Sequence, residues 1–239
     1  MYSQTARYYD LIYSQFKDYS KECEQINDFI SKRLPSASHL LDVACGTGAH
    51  AEILSQTYGY QVDGIDLEAD FVTIASGKRI SGKIYQADMT AFDLGKTYDV
   101  ILCLFSSIGY VKSLENVIRA FHCFRRHLAD GGMILIEPWF SPDEFHPGRI
   151  HLTTAEDGDT SICRMAFSDA LGTLSRVYFE YLLGTKKGLT HFSEIHELGL
   201  FTIEQMTACF READLAVTYQ PDGFCDRGLY IAQIPAVGN

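Results

Sequence analysis

Short apolar runs alternate with amphipathic stretches over residues 39–139. Strand-like runs, rich in apolar and β-branched residues, occur at residues 39–44, 60–67, 83–89, 99–105 and 133–139. Helical spacing of apolar residues occurs between them, at residues 49–59, 69–78 and 114–127. Because alternating strands and helices build a parallel sheet covered on both faces, this region predicts five parallel strands, with a turn at residues 130–132.

The rest of the chain follows other patterns. Residues 20–34 have helical spacing that stops at Pro35, which predicts a first helix. Over residues 150–200, β-rich segments are separated by Gly and Asp turns, as is typical of antiparallel strands. Helical spacing returns at residues 202–213, and the two apolar runs that follow predict a closing β-hairpin.

These elements predict a single α/β domain over residues 1–239. Its core is expected to be Rossmann-like, with a mostly parallel seven-stranded sheet that ends in the β-hairpin. Residues 1–35 are expected to form a helical lid. Residues 150–200 are expected to form an inserted antiparallel β subdomain, which serves as a substrate cap or as the contact of a homodimer.

Composition and charge narrow the partners. The chain is 46% hydrophobic and 21% charged, and no apolar run approaches the roughly 20 residues that cross a bilayer. We therefore expect no membrane partner. The first residues lack the basic start and continuous apolar stretch of a secretion signal, which predicts a cytoplasmic protein. The net charge of -11 opposes binding to a nucleic-acid backbone, so no nucleic-acid partner is expected.

Cysteine and histidine spacing argues against disulfides and metal. The seven cysteines are scattered and lack a C-x-x-C pair, which indicates reduced thiols. His191, Glu194 and His196 are close in sequence, but side chains alternate along a strand, so His191 points away from the other two. Since a tight site needs convergent ligands, no metal is expected. Cross-strand pairing or a polar wall of a substrate pocket explains the three residues better.

The most informative stretch is residues 41–50, where an apolar strand runs into a glycine turn and then a helix. Gly46 and Gly48 permit the turn and remove β-carbons that would keep a ligand from the backbone. The helix N-terminus beyond them presents free N–H groups. Such turns also occur without ligands, and nicotinamide and flavin enzymes use similar loops. The turn alone therefore leaves a nucleotide-type ligand and a structural role open.

Two acidic positions favour a nucleoside ligand. Asp66 ends the second predicted strand, where a carboxylate can accept hydrogen bonds from both ribose hydroxyls. Asp88 ends the third, where it can accept from an adenine amino group while Met89 packs on the ring. Either Asp alone equally suits an N-cap. Together with the glycine turn, they indicate an adenosine-type ligand.

Residues 42–48 (DVACGTG) resemble the first motif of class I methyltransferases that use S-adenosyl-L-methionine, and Asp66, Asp88 and Met89 match further motifs. The resemblance implies that cofactor on a Rossmann-like methyltransferase core. Asp42 directs negative charge toward the loop. This charge suits a sulfonium ligand that carries an amino group better than a dinucleotide pyrophosphate.

A narrower resemblance covers nearly the whole chain. It rests on the segments LPSASHLLDVACGTG, CLFSSIGY, ILIEPWF, GLTHFSEIHELGLFT and DRGLYIA. They are similar to N,N-dimethyltransferases of dTDP-linked 3-amino-deoxysugars, the kind that serve macrolide sugars. The resemblance implies a small-molecule amine acceptor on a nucleotide-sugar.

The same resemblance implies a set of site residues. The residues implied for the cofactor, in addition to Asp42, Gly46 and Gly48, are Tyr9, Ala44, Asp66, Asp88, Met89 and Leu104. The residues implied for the nucleotide-sugar are Tyr2, Tyr19, Trp139, Ser168 and Arg227. Arg227 suits a pyrophosphate through charge-assisted hydrogen bonds. A solvated turn for Arg227 and a core position for Trp139 are the structural alternatives.

Tyr110 marks a departure, because the similar sugar enzymes have a histidine there. A neutral amine attacks a sulfonium methyl directly, so the protein has to align the reactants and exclude water. Tyr110 is the catalytic candidate for receiving the proton, although an ordinary phenol is a poor base at neutral pH; Glu137 and water are the others. Another small-molecule acceptor, a nicotinamide-dependent oxidoreductase and a non-catalytic cofactor sensor remain alternatives at this point.

Overall fold

Seven strands form the larger sheet of the computed structural model, which describes residues 5–224 and 227–235. Their bounds are β1 His39–Val43, β2 Gln61–Asp66, β3 Ile84–Gln86, β4 Tyr98–Cys103, β5 Leu128–Ile136, β10 Ala216–Gln220 and β11 Leu229–Gln233. The strand order is β10-β11-β5-β4-β1-β2-β3. Strands β1 to β5 pair in parallel, and β11 is antiparallel to both β5 and β10. The five parallel strands and the closing hairpin predicted from the sequence are confirmed.

Helices cover both faces of this sheet. Their bounds are α1 Tyr9–Tyr13, α2 Tyr19–Arg33, α3 Ala49–Tyr58, α4 Ala69–Ser76, α5 Leu114–Arg126 and α6 Ile203–Glu212, with short 3-10 turns at Ala6–Tyr8 and Ser107–Val111. The predicted first helix is α2, which begins after Asp18, whose side chain accepts a hydrogen bond from the Lys21 N–H. Among the helices of the described residues, none is both long and apolar enough to span a membrane.

The period of two along β1 divides the core between the two faces. Leu40 packs with Ile26 and Ile30 of α2 and Leu54 of α3, whereas Leu41 packs with residues of α5 and α6 on the other face. All of these side chains are at most 1% exposed. Burial on both faces explains why the parallel strands are almost continuously apolar. It also leaves only the strand ends open to a ligand.

The inserted segment forms a separate sheet, here called the cap sheet. Its strands are β6 Ile150–Asp157, β7 Thr160–Leu171, β8 Leu174–Thr185 and β9 Gly188–Gly199, paired antiparallel in chain order. Its inner face packs on Ile12 of α1 through Ala155, Ile162, Tyr181, Leu183 and Phe192. The β-rich insertion predicted for residues 150–200 is thus confirmed as a four-stranded antiparallel sheet.

The outer face of the cap sheet is exposed and partly apolar. Its large exposed side chains include Ile150, Leu152, Met165, Phe167, Leu182 and Ile195. Alternation along each strand places them opposite the inner-face residues.

Two strand boundaries predicted from the sequence are wrong. Strand β3 ends at Gln86, so Asp88 lies in the loop after it. Residues 130–132 belong to β5 and form no separate turn. Leu128 pairs with Tyr98 while Met133 pairs with Val100, so the residues between them bulge from the ladder.

Candidate active site

The two glycines of the first loop have different roles. Both have a positive φ, 55° for Gly46 and 76° for Gly48. A β-carbon on Gly48 would lie 2.8 Å from Cδ1 of Ile80 and 3.0 Å from Cβ of Ala75, so this glycine lets the start of α3 pack against its neighbours. A β-carbon on Gly46 would meet no atom within 4 Å, because that residue faces a cavity. Gly46 therefore leaves room for a ligand to approach the backbone.

Asp66 lies at the end of β2 and braces the glycine loop. Its Oδ2 accepts a hydrogen bond from the Gly46 N–H at 2.8 Å, and its Oδ1 accepts one from the Glu68 N–H at 2.9 Å. Burial raises the pKa of this carboxyl above its ordinary value, and the backbone hydrogen bonds oppose that rise. Asp66 also lines the cavity, so the brace and the predicted ribose contact fall on one side chain.

Asp88 and Met89 line the same cavity from the loop after β3. The Asp88 Oδ1 accepts hydrogen bonds from the N–H and the hydroxyl of Thr90, both at 2.8 Å. These bonds belong to a turn at residues 88–91, and among the described residues no helix begins directly after Asp88, so the N-cap alternative is wrong for this residue. Because one carboxylate has several acceptor sites, the turn is compatible with the predicted adenine contact.

Asp42 is buried at the end of β1 beside a narrow cleft of about 40 Å³. Among the residues that the structure describes, none donates a hydrogen bond to its Oδ2. Burial raises the pKa of Asp42 to about 6, while nearby His50 lowers it and Asp66 raises it. A buried carboxylate oxygen without a donor is unfavourable, so this end of the cavity suits a cationic amino group. Ala44, Tyr19 and Leu104 line the same cleft.

Helix α1 ties the N-terminal segment to the glycine loop. Asp10 accepts a hydrogen bond from the Thr47 hydroxyl at 2.5 Å and pairs with the Lys78 ammonium at 2.8 Å. The preceding Tyr9 lies on Phe71, with ring centres 5.1 Å apart, and lines both the cavity and the cleft. Burial raises the pKa of Tyr9 well above its ordinary value, so its hydroxyl stays protonated. The lid role of residues 1–35 stays a prediction.

A strained loop follows β4, and its Phe105 lines both the cavity and the narrow cleft. Phe105 and Ser106 have φ values of 53° and 65°, and non-glycine residues in this conformation cost about 1–3 kcal/mol each. Glu137 holds the loop by accepting the Phe105 N–H at 2.6 Å, and the Ser106 hydroxyl donates to the Pro138 carbonyl at 2.6 Å. Glu137 is 2% exposed and bound in this way, so its geometry favours loop support over the proton acceptance considered above.

The cavity continues from the glycine loop to the cap sheet and has a volume of about 730 Å³. Its far wall is mainly aromatic and cationic, and includes Tyr13, Tyr110, Trp139, Phe140, Arg164, Phe179, His196 and Arg227. A cavity of this volume is within the usual range of small-molecule sites. Tyr110 belongs to its far wall.

Arg227 and Trp139 lie together on the acceptor side. The Arg227 guanidinium is 5.1 Å from the Trp139 ring centre and 5.2 Å from that of Phe140, and it donates to the Ser106 hydroxyl at 2.8 Å. The Trp139 indole N–H donates to the Ser175 hydroxyl at 2.8 Å. Both side chains line the cavity, and their roles toward a ligand stay predictions.

The other residues assigned to the nucleotide-sugar are less uniformly placed. Tyr19 lines the narrow cleft beside Asp42, on the side where the cationic group fits. Ser168 is on the inner face of the cap sheet but outside the lining of the cavity, and its buried hydroxyl has no hydrogen-bond partner among the described residues. Tyr2 lies outside the described residues. The structure therefore brings Trp139 and Arg227 together in the lining of the cavity, whereas Ser168 is not part of that lining.

Arg164 is a cavity residue that sequence reasoning missed. It is 5% exposed on the inner face of β7, and its guanidinium lies 4.7 Å from the Phe179 ring centre and 5.1 Å from that of Tyr13. Tyr13 and Tyr181 raise the pKa of Arg164 while burial lowers it. The available signal was an arginine between Ile162 and Ala166 at a period of two, which places a cation on the buried face of a strand.

The alternation of side chains along β9 argues against a metal site formed by His191, Glu194 and His196. His191 is exposed and pairs with Glu180 at 2.7 Å, whereas Glu194 and His196 are buried on the inner face. Within residues 5–224 and 227–235, no group of three or more His, Cys, Asp or Glu side chains is arranged to hold a metal ion.

Comparisons with known proteins identify relatives of this chain. Residues 40–132 match the model of a methyltransferase domain. The dTDP-3-amino-3,6-dideoxy-alpha-D-glucopyranose N,N-dimethyltransferase of Streptomyces fradiae is 35% identical over 229 residues, covering 95% of this chain and 89% of that enzyme. The chain belongs to the family of S-adenosylmethionine-dependent methyltransferases that includes this enzyme. The methyltransferase is also 35% identical to the dTDP-4-amino-2,3,4,6-tetradeoxy-D-glucose N,N-dimethyltransferase of Saccharopolyspora spinosa, over 93% of this chain and 90% of that one.

Solved structures agree with this membership. Streptomyces venezuelae DesVI superposes with a TM-score of 0.90 at 35% identity, covering 97% of this chain and 98% of that one. The S-adenosylmethionine-bound CalS10 of Micromonospora echinaspora, an amino pentose methyltransferase, superposes with a TM-score of 0.82 at 29% identity, covering 92% and 93%. This methyltransferase therefore uses S-adenosyl-L-methionine. The oxidoreductase and sensor alternatives are wrong.

The residues at and near the glycine loop fit that cofactor. The open position at Gly46 and the donor-free oxygen of Asp42 suit its amino-acid end, and Asp66 and Asp88 lie where its ribose and adenine would bind. The cofactor, when bound, supplies a methyl group on a sulfonium, which is already a strong electrophile. The protein has to hold that methyl toward the aromatic wall and keep water away. These individual contacts stay predictions.

Proposed function

We propose that this methyltransferase acts on the 3-amino group of a dTDP-linked deoxysugar and transfers a methyl group twice, giving a dimethylamine. Its relatives with about 35% identity over nearly the whole chain are named for dTDP-amino-sugars, and they differ in whether the amino group is at carbon 3 or carbon 4. The sequence similarity therefore supports a nucleotide-linked amino-sugar. The choice of carbon 3 follows from the resemblance described under Sequence analysis.

One structural observation carries the proposal: the Arg227 guanidinium among Trp139, Phe140 and the Ser106 hydroxyl. A nucleotide-sugar presents a pyrophosphate and a flat base, which suit a cation and aromatic faces. In a chain of net charge -11, an anionic substrate needs a local cation of this kind. In the part of the chain that the structure describes, no carboxylate forms an ion pair with Arg227, and its side chain lines the cavity.

Positioning is the main contribution of the protein to this reaction. The amine nitrogen attacks the methyl carbon in line with the breaking bond to sulfur, so no side chain has to act as nucleophile. Phe105, in the strained loop after β4, lines both the cavity and the cleft, which supports a role of this loop in positioning the reactants. The aromatic wall keeps water from the transfer.

A wider set of expectations accompanies the proposal. The exposed apolar outer face of the cap sheet is consistent with the predicted homodimer, and the cytoplasmic location remains as predicted from the sequence. The net charge continues to argue against a nucleic-acid partner. Another small-molecule amine is the alternative acceptor, because Tyr110 replaces the histidine of the similar sugar enzymes.

An acceptor panel tests the proposed function. Purified enzyme and S-adenosylmethionine are incubated with dTDP-3-amino- and dTDP-4-amino-deoxysugars and with the free sugars, and S-adenosylhomocysteine release is followed with mass spectrometry of the product. We expect the dTDP-3-amino-sugar to gain two methyl groups and the free sugars to react poorly. Release that is no faster with any amino-sugar than with buffer would contradict the proposal.

Arg227 provides the matched variant test. Arg227→Met should raise the KM for the nucleotide-sugar about tenfold or more, since a charge-assisted hydrogen bond contributes about 1.5–3 kcal/mol. The affinity for S-adenosylhomocysteine should not change. Arg211→Met, on an exposed position of α6, is the control and should leave both quantities as they are. An unchanged KM in Arg227→Met would remove the pyrophosphate contact from the proposal.

A further inference from the structure

The inner face of β9 carries two buried ionisable side chains that the methyl transfer as described does not use. Glu194 is 8% exposed and His196 is 1% exposed. Both are at a period of two on the strand, and His196 also lines the cavity. Buried polar groups are costly unless they are hydrogen-bonded, so their partners indicate what they do.

Tyr110 joins this pair to the cavity. Its hydroxyl oxygen lies 2.9 Å from Nδ1 of His196, across the contact between the 3-10 turn Ser107–Val111 and β9. On the other side of the ring, Nε2 of His196 lies 3.4 Å from Oε2 of Glu194. The second oxygen of Glu194 accepts a hydrogen bond from the Thr5 hydroxyl at 2.7 Å, which orients the carboxylate.

These contacts favour one direction of hydrogen bonding. A carboxylate beside Nε2 stabilises the tautomer that carries its proton on Nε2, which leaves Nδ1 as an acceptor for the Tyr110 hydroxyl. The arrangement is a hydroxyl, an imidazole and a carboxylate in series. In serine hydrolases the same order lets the imidazole take the hydroxyl proton while the carboxylate stabilises the resulting imidazolium.

We propose that Tyr110, His196 and Glu194 form a proton relay that removes the proton of the acceptor amine. This inference rests on the proposed function, since it needs an amine acceptor. Tyr110 is assigned the catalytic contact with the nitrogen, and His196 and Glu194 are positioning residues that act through it.

The relay step balances in atoms and charge. An acceptor that enters as an ammonium first gives one proton to the Tyr110 oxygen while the original hydroxyl proton passes to Nδ1 of His196, which leaves a neutral amine and an imidazolium beside Glu194. The amine nitrogen then forms the new C–N bond with its lone pair, and the C–S bond breaks with its electron pair left on sulfur. The imidazolium loses its proton to solvent, and the methylated ammonium product loses its proton by the same route before a second transfer.

A double methylation needs this relay because the nitrogen has to lose a proton before each attack. Alkylammonium groups such as that of lysine have a pKa near 10.4, so most acceptor molecules and the singly methylated product carry a proton at pH 7. A protonated nitrogen has no lone pair and cannot attack. Tyr110 by itself is a poor base, but coupled to an imidazole it passes a proton on without becoming a free phenolate.

Other charged groups near the relay are accounted for. Arg164 and His196 both pack on Phe179, at 4.7 Å for the guanidinium and 5.1 Å for the imidazole ring centre. Lys112, near Tyr110 in the chain, pairs with Glu197 at 2.9 Å, and Arg176 pairs with that same Glu197 at 2.9 Å. Lys112 and Arg176 are paired with Glu197, and Glu194 is the carboxylate that contacts His196.

The alternative is that Tyr110 and His196 only fasten the cap sheet to the loop. The pH dependence of catalysis separates the two roles, because a lost fastening lowers activity at every pH while a lost relay is rescued where the amine is neutral in solution. The variants are Tyr110→Phe and His196→Asn. The control is His191→Asn, an exposed histidine on the opposite face of the same strand.

The kinetic experiment measures kcat/KM for the dTDP-amino-sugar from pH 6.5 to about 10 with each enzyme. At pH 7, Tyr110→Phe and His196→Asn should each be reduced about tenfold to hundredfold, and the deficit should shrink as the pH rises. His191→Asn should follow the wild-type profile. Circular dichroism and melting temperatures verify folding; if His196→Asn fails to fold, Tyr110→Phe, which keeps the ring, decides the question.

A second measurement needs no turnover. In protein labelled with 15N-histidine, the neutral His196 ring should carry its proton on Nε2, and Tyr110→Phe should shift the Nδ1 resonance. A proton on Nδ1 would reverse the hydrogen bond and overturn the relay. So would parallel pH profiles for Tyr110→Phe and wild type. A wild-type enzyme that methylates no amino-sugar would instead overturn the proposed function, and the relay with it.

Discussion

The strand ends of the larger sheet and the inner face of the cap sheet form two sides of one cavity, and they present different kinds of groups to it. On the sheet side, the contacts are backbone groups and carboxylates at or just after strands β1, β2 and β3. On the cap side, they are long side chains from distant positions, such as Arg164 and His196. A fixed backbone edge suits an invariant cofactor, whereas exchangeable side chains suit an acceptor that differs between enzymes.

The comparison predicts that damage on the sheet side abolishes cofactor binding and damage on the cap side does not. Asp66→Ala is the strongest test, because it removes the brace on Gly46 as well as the ribose contact. Each charge-assisted hydrogen bond contributes about 1.5–3 kcal/mol, so the Kd for S-adenosylhomocysteine should rise about 100-fold or more in calorimetry. The exposed Asp70→Ala is the control and should bind like wild type.

The two glycines should separate stability from binding. Gly48→Ala places a β-carbon 2.8 Å from Ile80 at a positive φ, and should lower the free energy of unfolding by about 2–3 kcal/mol in urea titrations. Gly46→Ala has room for the atom, so it should cost only about 1 kcal/mol of strain but weaken cofactor binding. Equal losses of stability in the two variants would contradict the separate roles assigned to them.

Asp42 should give stability and binding opposite pH dependences. Burial raises its pKa to about 6 from 3.8, so between about pH 6 and pH 4 the folded protein binds a proton that the unfolded chain does not. Its contribution to stability therefore increases as the pH falls through that window. Binding of a cationic amino group needs the carboxylate, so S-adenosylhomocysteine affinity should fall below pH 6 by up to about tenfold per pH unit. Calorimetry and urea titration at several pH values check both signs, and Asp42→Asn should lose this dependence in both.

Ser168 should show the smallest effect. The resemblance assigns it to the substrate, but Ser168 is not among the residues that line the cavity, and its buried hydroxyl has no hydrogen-bond partner among the described residues. Ser168→Ala should change the KM for the nucleotide-sugar by less than about twofold, and its stability should stay equal or rise by up to about 1 kcal/mol. A tenfold rise in KM would show that the cap sheet moves when the acceptor binds.

The sequence reveals the sheet side more completely than the cap side. Sequence patterns predict the glycine turn, Asp66 and Asp88, because strand ends and turns are local features. A parallel sheet then brings successive strand ends to one edge. Two other features depend on contacts between distant parts of the chain: the Asp42 oxygen that lacks a hydrogen-bond donor, and the hydrogen bond from the Phe105 N–H to Glu137. They cannot be read from the spacing of residues.

The cap side depends on register. That β9 carries Glu194 and His196 on one face follows from alternation, but the partner of His196 is Tyr110, 86 positions away. The same holds for Arg164, whose period marks it as buried while its aromatic neighbours come from α1 and β8. Sequence patterns give the face of a strand, and tertiary packing decides what that face meets.

A crystal structure of the enzyme with S-adenosylhomocysteine and dTDP tests this division of the cavity most directly. We predict adenosine between Asp66 and Asp88, the amino-acid end of the ligand at Asp42, and the pyrophosphate on Arg227 with Trp139 beside it. Electron density for dTDP at the glycine turn, or for the adenosine of S-adenosylhomocysteine against the cap sheet, would contradict the account.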